Sequence, residues 1–539
     1  MWKNKNKTKT NQRKENWAKP KQGPFHFHLI EDYFSGKEEE HNAYTLGEQS
    51  LKDLDFNDFF QFIDRTNSAI GQQYLYYRLR QGKSTSTQLE ALEERIDYYT
   101  QEDQHKFKVQ EVLSELSQNY DFYFPFLIFG KLPSKISFLW LVKTIQFLFY
   151  VLLLAGILFN PIFFLPLILI FCINIVLHYW HKNRIGNFAH IFSRLVRLSK
   201  TSKKLLKHSN LSDQEKSNFL KNTKRIDQIT SKILLLKTET LIENEVSSIV
   251  WYFFELFKIV TLLEITSFHS IVDDLETSRN EIDQLFIFIG EVDLAISVAS
   301  LRAGLPYFCQ PTFTPKQKAI ELNALYHPLI DACIENDIHL VNKSLLLTGS
   351  NMSGKSTFIR AVNLNTLAAQ TINTSFTKKS KTPILAIASS IRIADNINED
   401  KSYYMEEVSS IGQLIECSNQ VDFKCLFTID EVFKGTNTIE RISSAKAILE
   451  YLNKEDHLVL VSTHDIELTL LLKENFELHY FQESIEQEHL SFDYKLRQGA
   501  LKKKNAIKIL ELAGYPKEIV EEAKKLTIIF EKDKTGEKD

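Results

Sequence analysis

Paired cysteines are missing from this chain. Cys172, Cys309, Cys333, Cys417 and Cys425 are scattered, and no C-x-x-C pair occurs among them. That spacing supports neither a zinc site nor a disulfide framework, and it suits a reducing cytosol. A secretory leader is missing as well, because Met1–Pro24 is polar and basic with no apolar centre. There is no overall basic excess. The formal net charge is −3, so composition gives no global signal for nucleic acid. The most informative absence is local: from Thr144 to His178 there is no charged residue.

That uncharged stretch is too long for one buried helix. The apolar run extends from Phe138 to Leu177 and is broken by Asn160-Pro161. One membrane span needs about 20 apolar residues. The run therefore predicts two spans, roughly Phe138–Phe159 and Ile162–Trp180, joined by a tight turn. The alternative is a helical hairpin buried inside a large soluble protein. Lys131, Lys135 and Lys143 precede the run, and His181, Lys182 and Arg184 follow it. Positive flanks on both sides put both ends, both termini and the rest of the chain on the cytoplasmic face of the cell (inner) membrane. Trp140, Tyr150, Tyr179 and Trp180 include candidate interface anchors.

The 539 residues suggest about three domains. Residues 1–24 read as a disordered basic tail, or as a segment that touches anionic lipid or nucleic acid. Residues 25–135 read as a helical first part, with an apolar face at Leu51, Leu54, Phe56, Phe59, Phe60 and Ile63, and a break from Asp64 to Gly71. The hairpin occupies 136–181, and a second helical part occupies 182–310. Within it, Asn187–His208 carries Arg194, Arg197, Lys200, Lys203, Lys204 and Lys207 with no acid between them. It could lie against anionic headgroups, touch a phosphate backbone, or be the solvated face of a packing helix. Ile249–Ile265 is apolar but includes Glu255, Lys258 and Glu264, which predicts a buried core helix rather than a third span. Ile282–Leu301 reads as a helix leading to a domain over 311–526, and 527–539 is a charged tail.

The chemistry lies in 311–526. Leu345–Ser356, L-L-L-T-G-S-N-M-S-G-K-S, places Gly349, Gly354, Lys355 and Ser356 at phosphate-loop spacing, between a short apolar run and a helical pattern. Backbone N–H groups of Gly349, Ser350, Asn351, Met352, Ser353, Gly354, Lys355, Ser356 and Thr357 can converge on phosphate oxygens at a helix N-terminus. Lys355 would reach the β- and γ-phosphates of ATP, and the Ser356 hydroxyl would hold Mg²⁺. Lys424–Asp430 is an apolar run that ends in Asp430-Glu431. Asp430 would position Mg²⁺ through water, and Glu431 would polarise the attacking water. Leu458–His464 is a third apolar run, and His464 at its end could contact the γ-phosphate or that water. Three such strands alternating with helices predict a mostly parallel sheet covered on both faces.

These stretches resemble the MutS family. Thr348–Arg360 is close to that family's T-G-P-N-M-x-G-K-S-T-x-x-R. Ile429–Thr438, I-D-E-V-F-K-G-T-N-T, resembles its L-D-E-x-x-R-G-T-S-T. Ser462–Leu468 resembles its A-T-H-x-x-E-L, and Leu325–Leu329 its R-H-P segment. Ile63–Gly71 is similar to its core L-D-R-T-x-T-x-x-G, and Leu512–Ala523 to its C-terminal helix-turn-helix. The resemblance is dense over 324–526 and thinner over 44–301. It implies an all-helical lever and core followed by an ABC-type P-loop ATPase. It also implies a homodimer in which a serine from one subunit completes the other's site.

Ser402, in Lys401–Glu406, is the candidate for that serine. Asp400 and Tyr403 depart from the family's glycine and threonine there, and Asp395-Asn396 stands in place of a paired Asp-Asp. The family's adenine-stacking aromatic falls at Cys333, and Tyr494 could compensate. The mismatch-reading domain and its F-x-E wedge are not found before the core segment. Where the family inserts a DNA clamp, this chain inserts the hydrophobic hairpin.

Two functions follow as expectations. The first is a membrane-tethered ATPase that binds mismatched or branched DNA in repair or recombination. The second is a membrane signalling or scaffold ATPase acting on a protein or lipid partner without DNA.

Overall fold

The computed structural model of the chain describes residues 13–37, 44–101, 103–134, 136–185, 189–209, 211, 213–236, 245–314, 317–350, 352–392, 403–419, 424–433, 435–454, 456–486, 489–501 and 506–535. Short turns aside, its helical part comprises α1 (Glu48–Asp53), α2 (Phe56–Ile63), α3 (Ala69–Arg80), α4 (Ser86–Gln101), α5 (Asp103–Leu113), α6 (Leu139–Leu158), α7 (Leu165–Ile185), α8 (Ala189–Leu206), α9 (Asp213–Leu236), α10 (Glu245–Thr261), α11 (Leu263–Thr277) and α12 (Arg279–Gly304).

The 26 residues of α12 would span about 39 Å at 1.5 Å per residue. Its composition alone would let it cross a membrane. Instead it is buried almost all round, against α3, α4 and α9. Its charged residues Asp293 and Arg302 are buried with partners. The D-R-T-N-S segment between α2 and α3 is fixed by this helix. The Asp293 carboxylate accepts from the backbone N–H of Asn67 at 2.8 Å and Ser68 at 2.8 Å, and from the Ser68 hydroxyl at 2.6 Å. Asp64 accepts from the N–H and hydroxyl of Thr66. A Cβ on Gly71 would lie 2.1 Å from Asp293 Oδ2, so only glycine fits this crossing.

α6 and α7 form a hairpin. Asn160 Oδ1 caps the turn by accepting from Ile162 N–H at 3.0 Å. The outward faces carry Leu154, Ile157, Phe159, Ile168 and Leu169, all exposed, while Val142 at the base is buried. By length and composition both arms could cross a membrane.

Three expectations change. Residues 13–24, read as part of a disordered tail, pack on the helical part, where the Ala18 N–H donates to Ser300 Oγ at 3.0 Å and Trp17 meets the Phe107 ring edge-on. α10 is not a buried core helix. It packs along α7 and leaves Tyr252, Phe253, Leu256 and Phe257 exposed. The basic face of α8 is partly consumed inside the protein. Arg197 pairs with the buried Asp121 at 3.0 Å, Lys203 with Asp227 at 2.5 Å and Lys204 with Glu115 at 2.7 Å. The Arg194 guanidinium lies over the Tyr123 ring.

The α/β part has twelve strands among the described residues. These are β1 (Thr312–Phe313), β2 (Ala319–Leu325), β3 (Asn336–Val341), β4 (Ser344–Thr348), β5 (Lys379–Thr382), β6 (Ala386–Ser390), β7 (Cys425–Asp430), β8 (Leu458–Thr463), β9 (Phe476–Tyr480), β10 (Glu483–Glu486), β11 (His489–Phe492) and β12 (Arg497–Gln498). Six of them form a sheet ordered β12-β9-β4-β8-β7-β6, parallel except for the edge strand β12. Its central strands are buried along their length, which explains their unbroken apolar runs. The helices α13 (Lys355–Ile372), α14 (Tyr403–Ser418), α15 (Thr438–Leu452) and α16 (Glu467–Leu472) accompany the sheet. The pair α17 (Ala506–Leu512) and α18 (Lys517–Thr535) closes the chain.

A second, mixed sheet, β1-β5-β2-β3, was not expected from the sequence. Its strands are short, and β2 and β3 alternate buried and more exposed residues, so they lack the continuous runs of the central sheet.

Contacts at two sites are among those that join the helical part to the α/β part. Asp53 accepts from the Ser389 hydroxyl and from the N–H groups of Ile391 and Arg392. Arg302, at the end of α12, makes a bidentate pair with Glu93 at 2.6 and 2.8 Å and donates to Asn373 O at 2.7 Å.

Candidate active site

The parallel register brings three strand ends to one edge of the sheet. Thr348 lies opposite Thr463, and Asp430 opposite Ser462. The loop after β4 therefore faces the acids after β7 and the histidine after β8, as expected at the carboxyl ends of parallel strands. Gly354 has φ +104° and is the N-cap of α13, a conformation that a side chain would strain.

Within the loop, Lys355 Nζ donates to Gly349 O at 2.9 Å and Ser350 O at 2.8 Å, and lies 3.4 Å from His464 Nε2. The Ser356 hydroxyl donates to Asp430 Oδ2, and the Ser462 hydroxyl to Asp430 Oδ1. Glu431 sits at φ +63°, with its N–H on Ser462 O at 2.9 Å and its Oε1 3.1 Å from His464 Nε2. A strained backbone at a strand end aims that carboxylate toward the loop.

A cavity of about 980 Å³ opens beside these groups. Ser350, Met352, Ser353, Gly354, Lys355, Ser356 and Thr357 line it, together with Asp430, Glu431 and Tyr494. Tyr494 stacks on Phe492, with ring centroids 6.0 Å apart and planes at 28°. Asn336 fixes the backbone there, donating to Tyr494 O at 3.0 Å and accepting from Leu496 N–H at 2.7 Å. Cys333 also lines the cavity, with Ile330 and Ile334 beside it. The structure thus brings together every described residue of the expected site, with His464 reaching it through Glu431 and Lys355. Asn351, Ser402 and the Asp395-Asn396 pair lie outside the described residues.

Sequence reading missed three features of the site. Glu483, buried at the start of β10, accepts from the Ser350 hydroxyl. Arg441 on α15 forms a bidentate pair with Asp465 at 2.9 and 2.7 Å, which anchors the residue after His464. His327 lines the cavity, and burial together with the nearby Arg360 charge pushes its imidazole down to about 4. It is therefore neutral near pH 7, and its Nδ1 accepts from Leu329 N–H at 3.3 Å. The H-P dipeptide marked this last position in the sequence. Nothing local marked the first two.

The donor set fits a nucleotide with its metal. A hydroxyl and a carboxylate already touch at Ser356 and Asp430, offering hard oxygen ligands of the kind that Mg²⁺ takes. An ammonium and a helix N-terminus stand next to them.

The family model described as MutS domain V matches residues 345–531. Among similar proteins, the DNA mismatch repair protein MutS of Thermus thermophilus is 28% identical over 244 residues, covering 44% of this chain and 29% of that protein. The DNA mismatch repair protein MutS of Petrotoga mobilis is 29% identical over 277 residues, covering 50% and 33%. DNA mismatch repair protein MutS 2 of Haloarcula marismortui is 27% identical over 303 residues, covering 51% and 31%. The chain spans about a third of the length of the curated relatives it matches. The loop, the acids and the histidine at one sheet edge lie inside the matched segment, so the chain carries a MutS domain V, an ABC-type ATPase.

Proposed function

We propose that this ATPase is tethered to a membrane by the α6–α7 hairpin and that it couples ATP turnover to DNA, mismatched or branched, in repair or recombination. The observation that carries the tether is the pair of adjacent apolar helices whose large side chains face outward. In water such surface would be a liability, whereas in a bilayer it is the ordinary exterior of a span. The DNA half of the reading rests on the relatives, whose names specify DNA mismatch repair. Localisation follows from the flanks of the hairpin: cell (inner) membrane, with the ATPase part and both termini cytoplasmic.

When bound, ATP supplies the phosphoryl group and its Mg²⁺ neutralises charge. The chain's own residues do the rest. The 349–357 loop cradles phosphate with backbone N–H groups. Lys355 turns from the loop carbonyls to phosphate oxygens. Ser356 and Asp430 hold the metal. Glu431 takes the proton of the attacking water, and His464, beside it, keeps that carboxylate in place. Tyr494 covers the base where Cys333 cannot stack. Ser402 of a second copy completes the site in a homodimer. Replacing Ser402 with Ala should then lower turnover while leaving nucleotide binding in place, and unchanged turnover would remove it from the site.

A second reading keeps the ATPase and the membrane but replaces DNA with a protein or lipid partner. The internal pairing of Arg197, Lys203 and Lys204 favours it, because those charges are already partly used. Lys200 on the same helix and Lys207 just beyond its end are exposed and form none of these pairs. Replacing both with Gln should weaken DNA binding and reduce its salt dependence under the first reading. DNA binding unchanged in affinity and salt slope would remove α8 as the contact.

A further inference from the structure

α10 is built inside out. Within it, Glu255 and Lys258 are 9% and 2% exposed, whereas Tyr252 and Phe253 are 68% and 70% exposed. A helix facing water turns its charges outward. This one turns them toward α7. Lys258 Nζ lies 2.7 Å from Glu255 and 3.8 Å from Glu264, while Lys182 and His178 reach Glu255 at 3.2 and 3.3 Å. His178, Glu255 and Glu264 could present ligands to a metal ion. The Lys258 ammonium already sits against both carboxylates, so the group is a neutralised charge cluster that docks one helix on another.

The direction of α10 fixes its depth. Asn174 Nδ2 donates to Val260 O at 2.7 Å, and Lys182, two turns later on α7, meets Glu255. α10 therefore runs antiparallel to α7, with its C-terminal end toward the hairpin's far turn. It ends at Leu262, whose φ of +49° reverses the chain into α11. Leu262 is buried with Ile136, Val142 and Ile265, at the first turn of α6. The α10–α11 elbow thus lies inside the level at which the hairpin would enter a bilayer, and Tyr252 and Phe253, about 15 Å back along α10, come near that level. Trp140 on α6 and Tyr179 on α7 are exposed near that level.

We propose that α10, which ends at the α10–α11 elbow, is a second membrane-contacting element, with Tyr252, Phe253 and Leu256 facing phospholipid at the headgroup layer of a bilayer. This rests on the hairpin reading. Aromatic rings favour that layer, and the outward face of α10 presents them beside the spanning helix α7. α11 runs on through Ser278 into α12, so the membrane contact stands one helix away from the long helix that ends at the ATPase part.

The test places the photo-reactive residue p-benzoylphenylalanine singly at Phe253, at Ile157 on the hairpin, and at Val341, an exposed position on β3. The full chain is reconstituted in phosphatidylcholine–phosphatidylglycerol vesicles, and ATP turnover confirms that each variant is folded. Mass spectrometry then scores adducts after illumination. Lipid adducts at 253 and 157, well above the Val341 background, are the expected result. Adducts at 157 with only background at 253 would overturn the α10 contact and leave the hairpin standing. A cross-link from 253 to a second copy of the chain would also overturn it, by showing protein where lipid was inferred. Background at both positions would take down the hairpin reading and the α10 contact with it.

Discussion

At the residue scale, Lys355 and Glu431 divide binding from chemistry. Lys355 already spends its ammonium on two loop carbonyls and lies beside His464. Replacing it with Ala should abolish nucleotide binding in a fluorescent-nucleotide titration. Glu431 stands at the end of β7 beside His464, outside the 349–357 loop that would cradle the phosphates, so Glu431→Ala should keep ATP bound. Its turnover should fall by about 10²-fold or more, the usual contribution of a positioned general base. Single-turnover hydrolysis with normal rate in that variant would remove Glu431 from the role.

His327 gives a pH signature. Its folded pKa, about 4, lies below the 6.5 of an unfolded histidine, so the unfolded chain binds the extra proton between those values. The stability that this site contributes is complete above pH 6.5 and is lost as pH falls toward 4. The loss amounts to at most about 3 kcal/mol. Melting curves across that window should show a shallower acid decline for His327→Gln than for the parent chain.

At the element scale, the crossing of α3 and α12 is set by one missing Cβ. Gly71→Ala would put a methyl group 2.1 Å from Asp293 Oδ2. The overpacking should cost about 1–3 kcal/mol and lower the melting temperature, with ATP binding by the intact fraction preserved. The hairpin makes a prediction of its own. Leu148 is exposed midway along α6. Leu148→Lys would bring a charge to mid-bilayer at a cost of about 2.5–3.5 kcal/mol. The membrane-retained fraction after alkaline extraction should fall. Full retention would mean that α6 does not face lipid there.

The catalytic elements were readable in the sequence because each combines a continuous apolar strand with a polar residue at its end. Gly349–Ser356, Asp430-Glu431 and His464 are all of this kind. The partners that hold them were not readable. Glu483 meets Ser350, and Arg441 meets Asp465, only after the sheet has formed. The α8 cations likewise find Asp121, Asp227 and Glu115 through tertiary packing. α10 misled for a related reason. Charges every few residues in an apolar helix fit a buried helix or an inside-out one, and only the neighbouring α7 decides between them.

At the scale of the whole molecule, polar contacts at Asp53 and Arg302 are among those that link the helical part to the ATPase. Asp53 grips the strand end at 389–392, from which the chain continues toward Ser402, and Arg302 links α12 to Glu93 and to Asn373, just after α13. In the proposed reading, movement at the loop would pass along α13 to Asn373 and Arg302, and so to α12. In that reading these contacts couple the hairpin, the helical part and the ATPase. The most direct measurement is ATP turnover by the full chain in detergent or vesicles, with homoduplex, mismatched and branched DNA, across a salt series. The account predicts stimulation that depends on DNA structure, fades as salt rises and disappears in Lys355→Ala. Solid basal turnover that no DNA changes at any salt would contradict it, and would leave a membrane ATPase whose partner is protein or lipid.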